Sequence, residues 1–407
     1  MATLHRPAGS GVGVAATAKP RAATPPESQK CRRPVDSVIS YGVIRLEHVT
    51  DRDKYCICFS EIAPPLGSEA TLSLRTSIAA SGAGQVPHGS PPAESFSPDR
   101  VAHHAVAILL SAHNGERFLQ EQLDSLIRQT HQRWTLYWRD DGSSDAAQAI
   151  LQRFAAQDGK DKSRFVSGGG ALGATRSYLT LLASAWHGQF RYFAFADQDD
   201  VWFDDKITRG LHALAEVPPD LPALYCARQE LVDEQLRHLG RSPEYIGEVG
   251  FPSALTQNIA TGCTIIMNRA AAEAVLSIAA PEGTLHDWWC YLAVSAAGGL
   301  ILSDSTTVLH YRQHVGNLVG SPLGTLRRGL AAFRRGPGPF MTMLRRHVAA
   351  LQTHPDLLSD RARADLIVIA TALSGSLRDK RRALSLPGFR RQTWLEDLVF
   401  RVWFLLG

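Results

Sequence analysis

The stretch Val106-Ala107-Ile108-Leu109-Leu110-Ser111-Ala112-His113-Asn114-Gly115 decides the fold. It opens with a continuous apolar run of strand length and ends in small, polar turn formers, the pattern of a parallel strand buried on both faces. Downstream, apolar residues at Leu119, Leu123, Leu126 and Ile127 recur at helical spacing. Trp134-Thr135-Leu136-Tyr137-Trp138 then alternates like a strand and runs into Asp140-Asp141-Gly142-Ser143-Ser144-Asp145. Ile150, Leu151 and Phe154 share one face of a helix over 146–156, a third strand and helix lie around 164–185, and Tyr192-Phe193-Ala194-Phe195-Ala196 is a further apolar strand ending at Asp197. Strands alternating with helices of this length predict an α/β fold, a Rossmann-like, mainly parallel sheet flanked by helices. Ligands of such sheets bind at the carboxyl ends of the strands, where every polar cluster above is placed.

The second half reads as shorter elements at 223–228 and 262–267, a helix over 269–278, another opening at His286-Asp287-Trp288-Trp289, and strands at 299–303 and 307–312. Residues 1–104 are rich in Ala, Pro, Ser and Gly and are expected to be a mostly disordered extension, with an isolated strand-like stretch inside 38–59. Residues 105–320 form the expected folded domain. Residues 321–407 read as a basic, amphipathic helical tail broken at Gly336-Pro337-Gly338-Pro339 and Leu386-Pro387-Gly388.

The 407 residues, 44% hydrophobic, are enough for a sizeable core. The net charge of +4 is too small, averaged over the chain, to point to nucleic acid. It is unevenly spread, since 321–407 holds 15 Lys plus Arg against 6 Asp plus Glu. The six cysteines lack the spacing of a zinc site or a disulfide scaffold, and a reducing, cytoplasmic compartment is the simplest expectation. No apolar run of about 18 residues suggests a membrane span, and the N-terminus has no apolar signal region.

Asp197-Gln198-Asp199-Asp200 crowds three carboxylates just past a buried strand. An acidic turn in solvent would explain an isolated pair. Here a divalent cation, Mg²⁺ or Mn²⁺, held by oxygen ligands and bridging to a diphosphate would relieve the repulsion. Asp140-Asp141-Gly142-Ser143-Ser144-Asp145 suits a turn that caps the next helix, and a pocket-facing carboxylate there also suits the imide N–H of a pyrimidine.

Taken with Glu121-Gln122-Leu123-Asp124-Ser125-Leu126, Val201-Trp202 and His286-Asp287-Trp288-Trp289, these segments occur in one order over 105–320. In that order the chain resembles the family 2 glycosyltransferases with the GT-A fold, and its Glu-Gln-Leu-Asp-Ser and Asp-Gln-Asp-Asp-Val-Trp forms are most similar to the rhamnosyltransferase-like branch. The resemblance implies transfer of a sugar from a nucleotide diphosphate donor to a hydroxyl of a glycan or lipid-linked glycan. It implies that Ser111, Ala112 and His113 hold the pyrimidine with Asp141 as its acceptor, that Asp197 approaches the ribose and that Asp199 ligates the metal. Asp287 matches the family's general base, which implies direct attack and inversion. Arg176, Arg312 and His314 are further donor-binding candidates, Arg176 with an equal reading as a surface residue and the other two with an equal reading as a strand end. His113 stands where relatives more often have Tyr, and the glycine-rich segment 168–173 replaces an Asn-rich pattern. Asp287 also suits a helix cap, and Trp288 and Trp289 suit either core or a sugar platform.

In the tail, Leu326-Arg327-Arg328-Gly329-Leu330-Ala331-Ala332-Phe333-Arg334-Arg335 and the stretch 394–406 set basic residues beside aromatic and aliphatic ones, which suits an interfacial helix on the inner face of an anionic membrane, or equally helices packed on the catalytic domain. A nucleotidyltransferase would want a glycine-rich basic loop at the first strand, which Ser111-Ala112-His113-Asn114-Gly115 is not. A catalytically inactive glycan-binding or assembly protein would not need Asp197, Asp199 and Asp287 together.

Overall fold

The computed structural model describes Val101 and residues 103–245, 247–314 and 336–407. The expectations for residues 1–100 and for the basic stretch 326–335 lie outside the described residues. The first half alternates as expected: β1 (Val106–Ala112), α1 (Leu119–Ile127), β2 (Trp134–Asp140), α2 (Ala147–Ala156), β3 (Ser163–Phe165), α3 (Ala174–Trp186) and β4 (Tyr192–Ala196). Then come β5 (Val201–Trp202), α4 (Lys206–Ala215), β6 (Ala223–Val232), β7 (His238–Arg241), β8 (Ile266–Asn268), α5 (Arg269–Ser277), α6 (His286–Ala296) and β9 (Leu300–Arg312). Four helices follow: α7 (Gly338–Gln352), α8 (Asp360–Ser374), α9 (Leu377–Leu384) and α10 (Trp394–Leu406).

The strands form one sheet in the order β3-β2-β1-β4-β8-β6-β9-β5, with β7 on β6. β1 pairs in parallel with both β2 and β4, and β2 with β3, as the sequence pattern requires. Beyond β4 the sheet becomes mixed. β8 runs antiparallel to β4 and β6, β5 runs antiparallel to β9, and β6 pairs with β9 in parallel. The two strands expected at 299–303 and 307–312 are one strand, β9, whose pairing with β6 shifts register around Arg228. The segment expected at 262–267 divides into a 3₁₀ turn (Gly262–Thr264) and the three residues of β8.

The unbroken apolar run of β1 is explained by what lies on each side. Ala107 and Leu109 face a core layer under α3, α5 and α6, whereas Val106, Ile108 and Leu110 face the layer under α1, α2 and α4. All five are fully buried, and at about 1.5–3 kcal/mol for each large side chain this strand alone is a strong organiser. Met341, Leu344, Phe400 and Phe404 of the C-terminal helices belong to the same layer as Ala107 and Leu109. Part of the tail's apolar surface is thus core, as the packed-helix reading expects.

Candidate active site

β1, β2 and β4 end side by side, and the loops that leave them are stitched together by side chains. Asp141, the first residue after β2, donates its N–H to the Ala112 carbonyl at 2.7 Å. Asn114 adopts φ 51°, and its side chain accepts the Ser144 N–H at 2.8 Å while its own N–H reaches Ser143 Oγ at 3.0 Å. Asp145 accepts the N–H groups of Glu116 and Ala147, and Glu116 returns a bond from the Ala146 N–H. Gln198 holds the backbone of His113 from both sides, accepting its N–H at 2.8 Å and donating to its carbonyl at 2.9 Å. Gly115 leaves room for this pin, since a Cβ would come within 2.3 Å of Gln198 Oε1 and displace the amide.

The expected pyrimidine-side residues gather on this frame. Ser111 is half-buried, while the Ala112 side chain lies in the core, so its contribution is its backbone. The His113 ring is exposed, with Nδ1 3.1 Å from the Asp141 carbonyl and Nε2 3.2 Å from Asn114 Nδ2. A proton on Nδ1 satisfies both contacts and leaves the ring fixed, available for stacking. The Asp141 carboxylate turns to the glycine-rich segment instead, accepting from Leu172 N, Gly173 N and Ser177 Oγ at 2.6–2.8 Å, and from Arg139 at 3.2 Å. Those bonds hold its pKa below the usual carboxylate value despite burial. Gly168, Gly169, Gly170 and Gly173 all have positive φ, which is why the segment is built from glycine. Arg176 is exposed in the first turn of α3.

Past β4 the carboxylates diverge in environment. Asp197 accepts the Tyr178 hydroxyl at 2.6 Å; burial and the neighbouring Asp199 raise its pKa to about 6. Asp199 pairs with His314, Nε2 to Oδ2, at 2.8 Å, the side chains being 17% and 15% exposed. Arg312 is buried, its guanidinium reaching the Asp199 carbonyl at 3.0 Å, the Glu234 carbonyl at 2.5 Å and the Glu121 carboxylate at 2.9 Å. It lies over the Phe118 ring, which His314 also meets. Both candidates from the end of β9 therefore stand against the acidic loop, Arg312 on its backbone and His314 on its carboxylate.

Asp200 points the other way, into the core. It is fully buried, and among the described residues its two oxygens accept no conventional hydrogen bond. An oxygen of Asp200, one of Asp197 and the Cys263 thiol lie within 4.8 Å of one another. The nearby cation is Lys206, fully buried at the start of α4, whose Nζ donates to the Cys263 carbonyl at 2.6 Å and sits over the Trp202 ring. Desolvation lowers the Lys206 pKa to about 7 against the attraction of Asp200 and Asp197. For Asp200, desolvation and the charges of Asp199 and Asp197 raise the pKa well above the usual range.

Asp287 sits in the first turn of α6 and accepts the N–H groups of Trp288 at 2.6 Å and Gly262 at 3.2 Å. The N-cap is Leu285, with no side-chain cap bond, so Asp287 is an acid of the first turn and not the capping residue. Desolvation raises its pKa to about 6, although these N–H groups oppose the shift. His286 is buried and stacked on Tyr178 at 4.0 Å, and burial drives its pKa down to about 3, so it is neutral. Trp289 is core, and Trp288 is half-buried with its indole N–H on the Ala254 carbonyl.

The sequence reading missed Tyr178, Lys206 and His286. Lys206 carried a signal, since it falls in line with Gly210 and Leu214 on the buried stripe of α4, where a lysine is anomalous. Tyr178 and His286 become meaningful only through contacts across the fold.

Residues 107–276 match a family model described as Glycosyl transferase family 2. A dTDP-rhamnosyl transferase, RfbG of Shigella flexneri, is 26% identical over 227 residues, 52% of this chain and 74% of that protein. The Escherichia coli UDP-Glc:alpha-D-GlcNAc-diphosphoundecaprenol beta-1,3-glucosyltransferase WfgD is 28% identical over 104 residues, 26% of this chain and 38% of that one. Among solved structures, S. aureus TarS 1-349 in complex with UDP-GlcNAc superposes with TM-score 0.47 at 13% identity, covering 69% of this chain and 78% of that one.

Proposed function

We propose that the chain, whose residues 107–276 match the family 2 glycosyltransferases, is an inverting, metal-dependent enzyme of GT-A-like fold that moves a sugar from a nucleotide diphosphate donor to a glycan hydroxyl. The observation that carries this reading is Asp287, a carboxylate with a pKa of about 6 that acts electrostatically on Asp197 of the acidic loop. A base with that affinity is ionised near neutral pH and still able to take a proton. In the proposed reaction the acceptor hydroxyl attacks the anomeric carbon, its proton passes to Asp287, and the bond to the nucleoside diphosphate breaks on the opposite face. His113 stacks on the donor base, Ser111 and the Ala112 backbone border it, and Asp141 shapes its pocket through the glycine segment. Asp197 takes the ribose side, and Arg176 is placed to meet a phosphate.

For the metal, Asp199 and His314 fit best, being partly exposed oxygen and nitrogen donors already at 2.8 Å. The Asp197, Asp200 and Cys263 group suits a cation less well, because the Lys206 ammonium already supplies positive charge there. When bound, Mg²⁺ or Mn²⁺ would neutralise charge on the departing diphosphate. Arg312 holds Asp199 in place from behind.

We take residues 105–320 as the catalytic unit and 321–407 as an appended helical segment. The motif form and the name of the Shigella relative support rhamnose as donor sugar, and those of the curated relatives support cell-surface glycan assembly. A lipid-linked acceptor would place the enzyme on the cytoplasmic face of a membrane, in peripheral contact. No helix among the described residues is long and apolar enough to cross one. The test is release of nucleoside diphosphate by purified protein from dTDP-rhamnose, UDP-sugars and GDP-sugars, with Mn²⁺ or Mg²⁺ and with EDTA. EDTA-sensitive release from one donor is expected. Absence of release and of thermal stabilisation with every donor would favour a catalytically inactive glycan-binding protein.

A further inference from the structure

Helix α10 (Trp394–Leu406) is amphipathic in the wrong direction for a helix bathed in water. Phe400, Trp403 and Phe404 anchor one side in the core. Asp397 lies between the two sides and pairs at 2.6 Å with Arg401, which borders the far side, and it also accepts the Arg391 N–H at 2.9 Å. The opposite side carries Trp394, Leu398, Val402 and Leu406, exposed by 78%, 51%, 44% and 78%. Spacing of four residues sets these side chains above one another in a single stripe. An isolated exposed leucine needs no explanation, but a stripe this long with no charged residue in it does.

What lies beside the stripe identifies the occupant. Lys380 Nζ of α9 donates to the Leu405 carbonyl, which sets α9 alongside the end of α10. On α9, Arg378, Arg381 and Arg382 are exposed, as is Leu377. We infer that the Trp394, Leu398, Val402 and Leu406 stripe docks in the plane of an anionic lipid surface, with the α9 arginines on the headgroup phosphates. Apolar insertion and cationic attraction act together in such binding. A second copy of the chain would instead bring two arginine clusters together across a self-complementary contact. The 13 residues of α10 carry the stripe over about 20 Å. This deepens the peripheral contact proposed above and rests on that reading for its purpose, although vesicle binding is measured without any donor or acceptor.

The experiment is flotation of the full-length protein with phosphatidylcholine vesicles, pure or mixed with phosphatidylglycerol, at low and high salt. Leu398→Glu/Val402→Glu and Arg378→Glu/Arg381→Glu/Arg382→Glu are run in parallel, with melting curves to establish folding. The wild type is expected to float with the anionic vesicles and to partition at least tenfold less with neutral ones or in high salt. Both variants, folded, should remain in the aqueous fraction. An aqueous wild type with both lipids overturns the inference, as does equal flotation of the folded Leu398→Glu/Val402→Glu protein. A wild-type dimer in sedimentation that this variant dissolves, without vesicle binding, would assign the stripe to self-association and overturn it too. Nucleoside diphosphate release in vesicle-free buffer, measured on the same preparations, tests the enzymatic reading separately.

Discussion

Single residues divide the work between Asp287 and the groups around it. The pKa of Asp287 is raised to about 6, so the protonated form, which cannot accept a proton, accumulates below that value. We expect kcat/KM to fall as pH drops through about 6 and to level off above it, a limb shared with Asp197, whose pKa is raised to the same region. A profile flat from pH 5 to 8 would count against Asp287 as base. Asp287→Asn should remove at least about 10²-fold of transfer while the protein stays folded, since general-base assistance is worth that much. Lys206 makes a separate, structural prediction. It is a buried cation that acts on buried Asp200 and half-buried Asp197, so Lys206→Met should destabilise the fold, and Asp200→Asn in that background should restore part of the loss. A coupling of about 1–3 kcal/mol in a double-mutant cycle by urea unfolding is expected; strictly additive losses would break the link.

At the scale of elements, the site is a set of loops pinned to one another, and the pins are short-range enough to be partly legible. The strand ends at Ser111 and Asp197 could be read from the sequence because each closes an apolar run, which has one reading when both faces of a sheet are covered, and that at Asp141 because it follows an alternating segment. The roles of Arg312 and His314 could not, because they depend on β9 delivering its end to a loop more than a hundred residues away in sequence. Nor could the antiparallel pairing of β8, whose three residues carry no periodicity. Likewise the carboxylate of Asp141 read as a free acceptor, since nothing local reveals that the glycine segment folds back onto it. The pin between Gln198 and His113 gives a testable consequence. Gly115→Ala would force Gln198 off the His113 backbone, loosening the base-binding loop without touching the chemistry. Donor KM should rise about tenfold with kcat changed much less, the pattern of lost ground-state binding. Gln198→Ala should reproduce it, and an unchanged KM in both would show that the loop holds without this pin.

For the molecule as a whole, the question is whether the C-terminal helices are an accessory or part of the fold. Their composition, basic and amphipathic, is that of an appendage. Their packing is not, because Phe400 and Phe404 are buried in the layer that also holds Leu109 of β1 and Trp289 of α6. Phe389 stacks edge-on to both at 5.2 and 5.3 Å, and Phe340 meets Phe400. His347 of α7 bonds Thr284 Oγ1 at 2.8 Å, just before the helix that carries Asp287. α7 therefore braces the segment that leads into α6. A phenylalanine in such a cluster cannot be removed without leaving a cavity, so Phe400→Ala should cost about 3–5 kcal/mol. If the helices were an appendage, that loss would fall on their own unfolding and leave donor turnover intact. With one shared core, the melting of the whole domain should shift down in a single transition and turnover should disappear at the same temperature. Calorimetry of Phe400→Ala beside an activity-versus-temperature curve separates the two, and a first transition at low temperature that spares activity would establish the helices as independent.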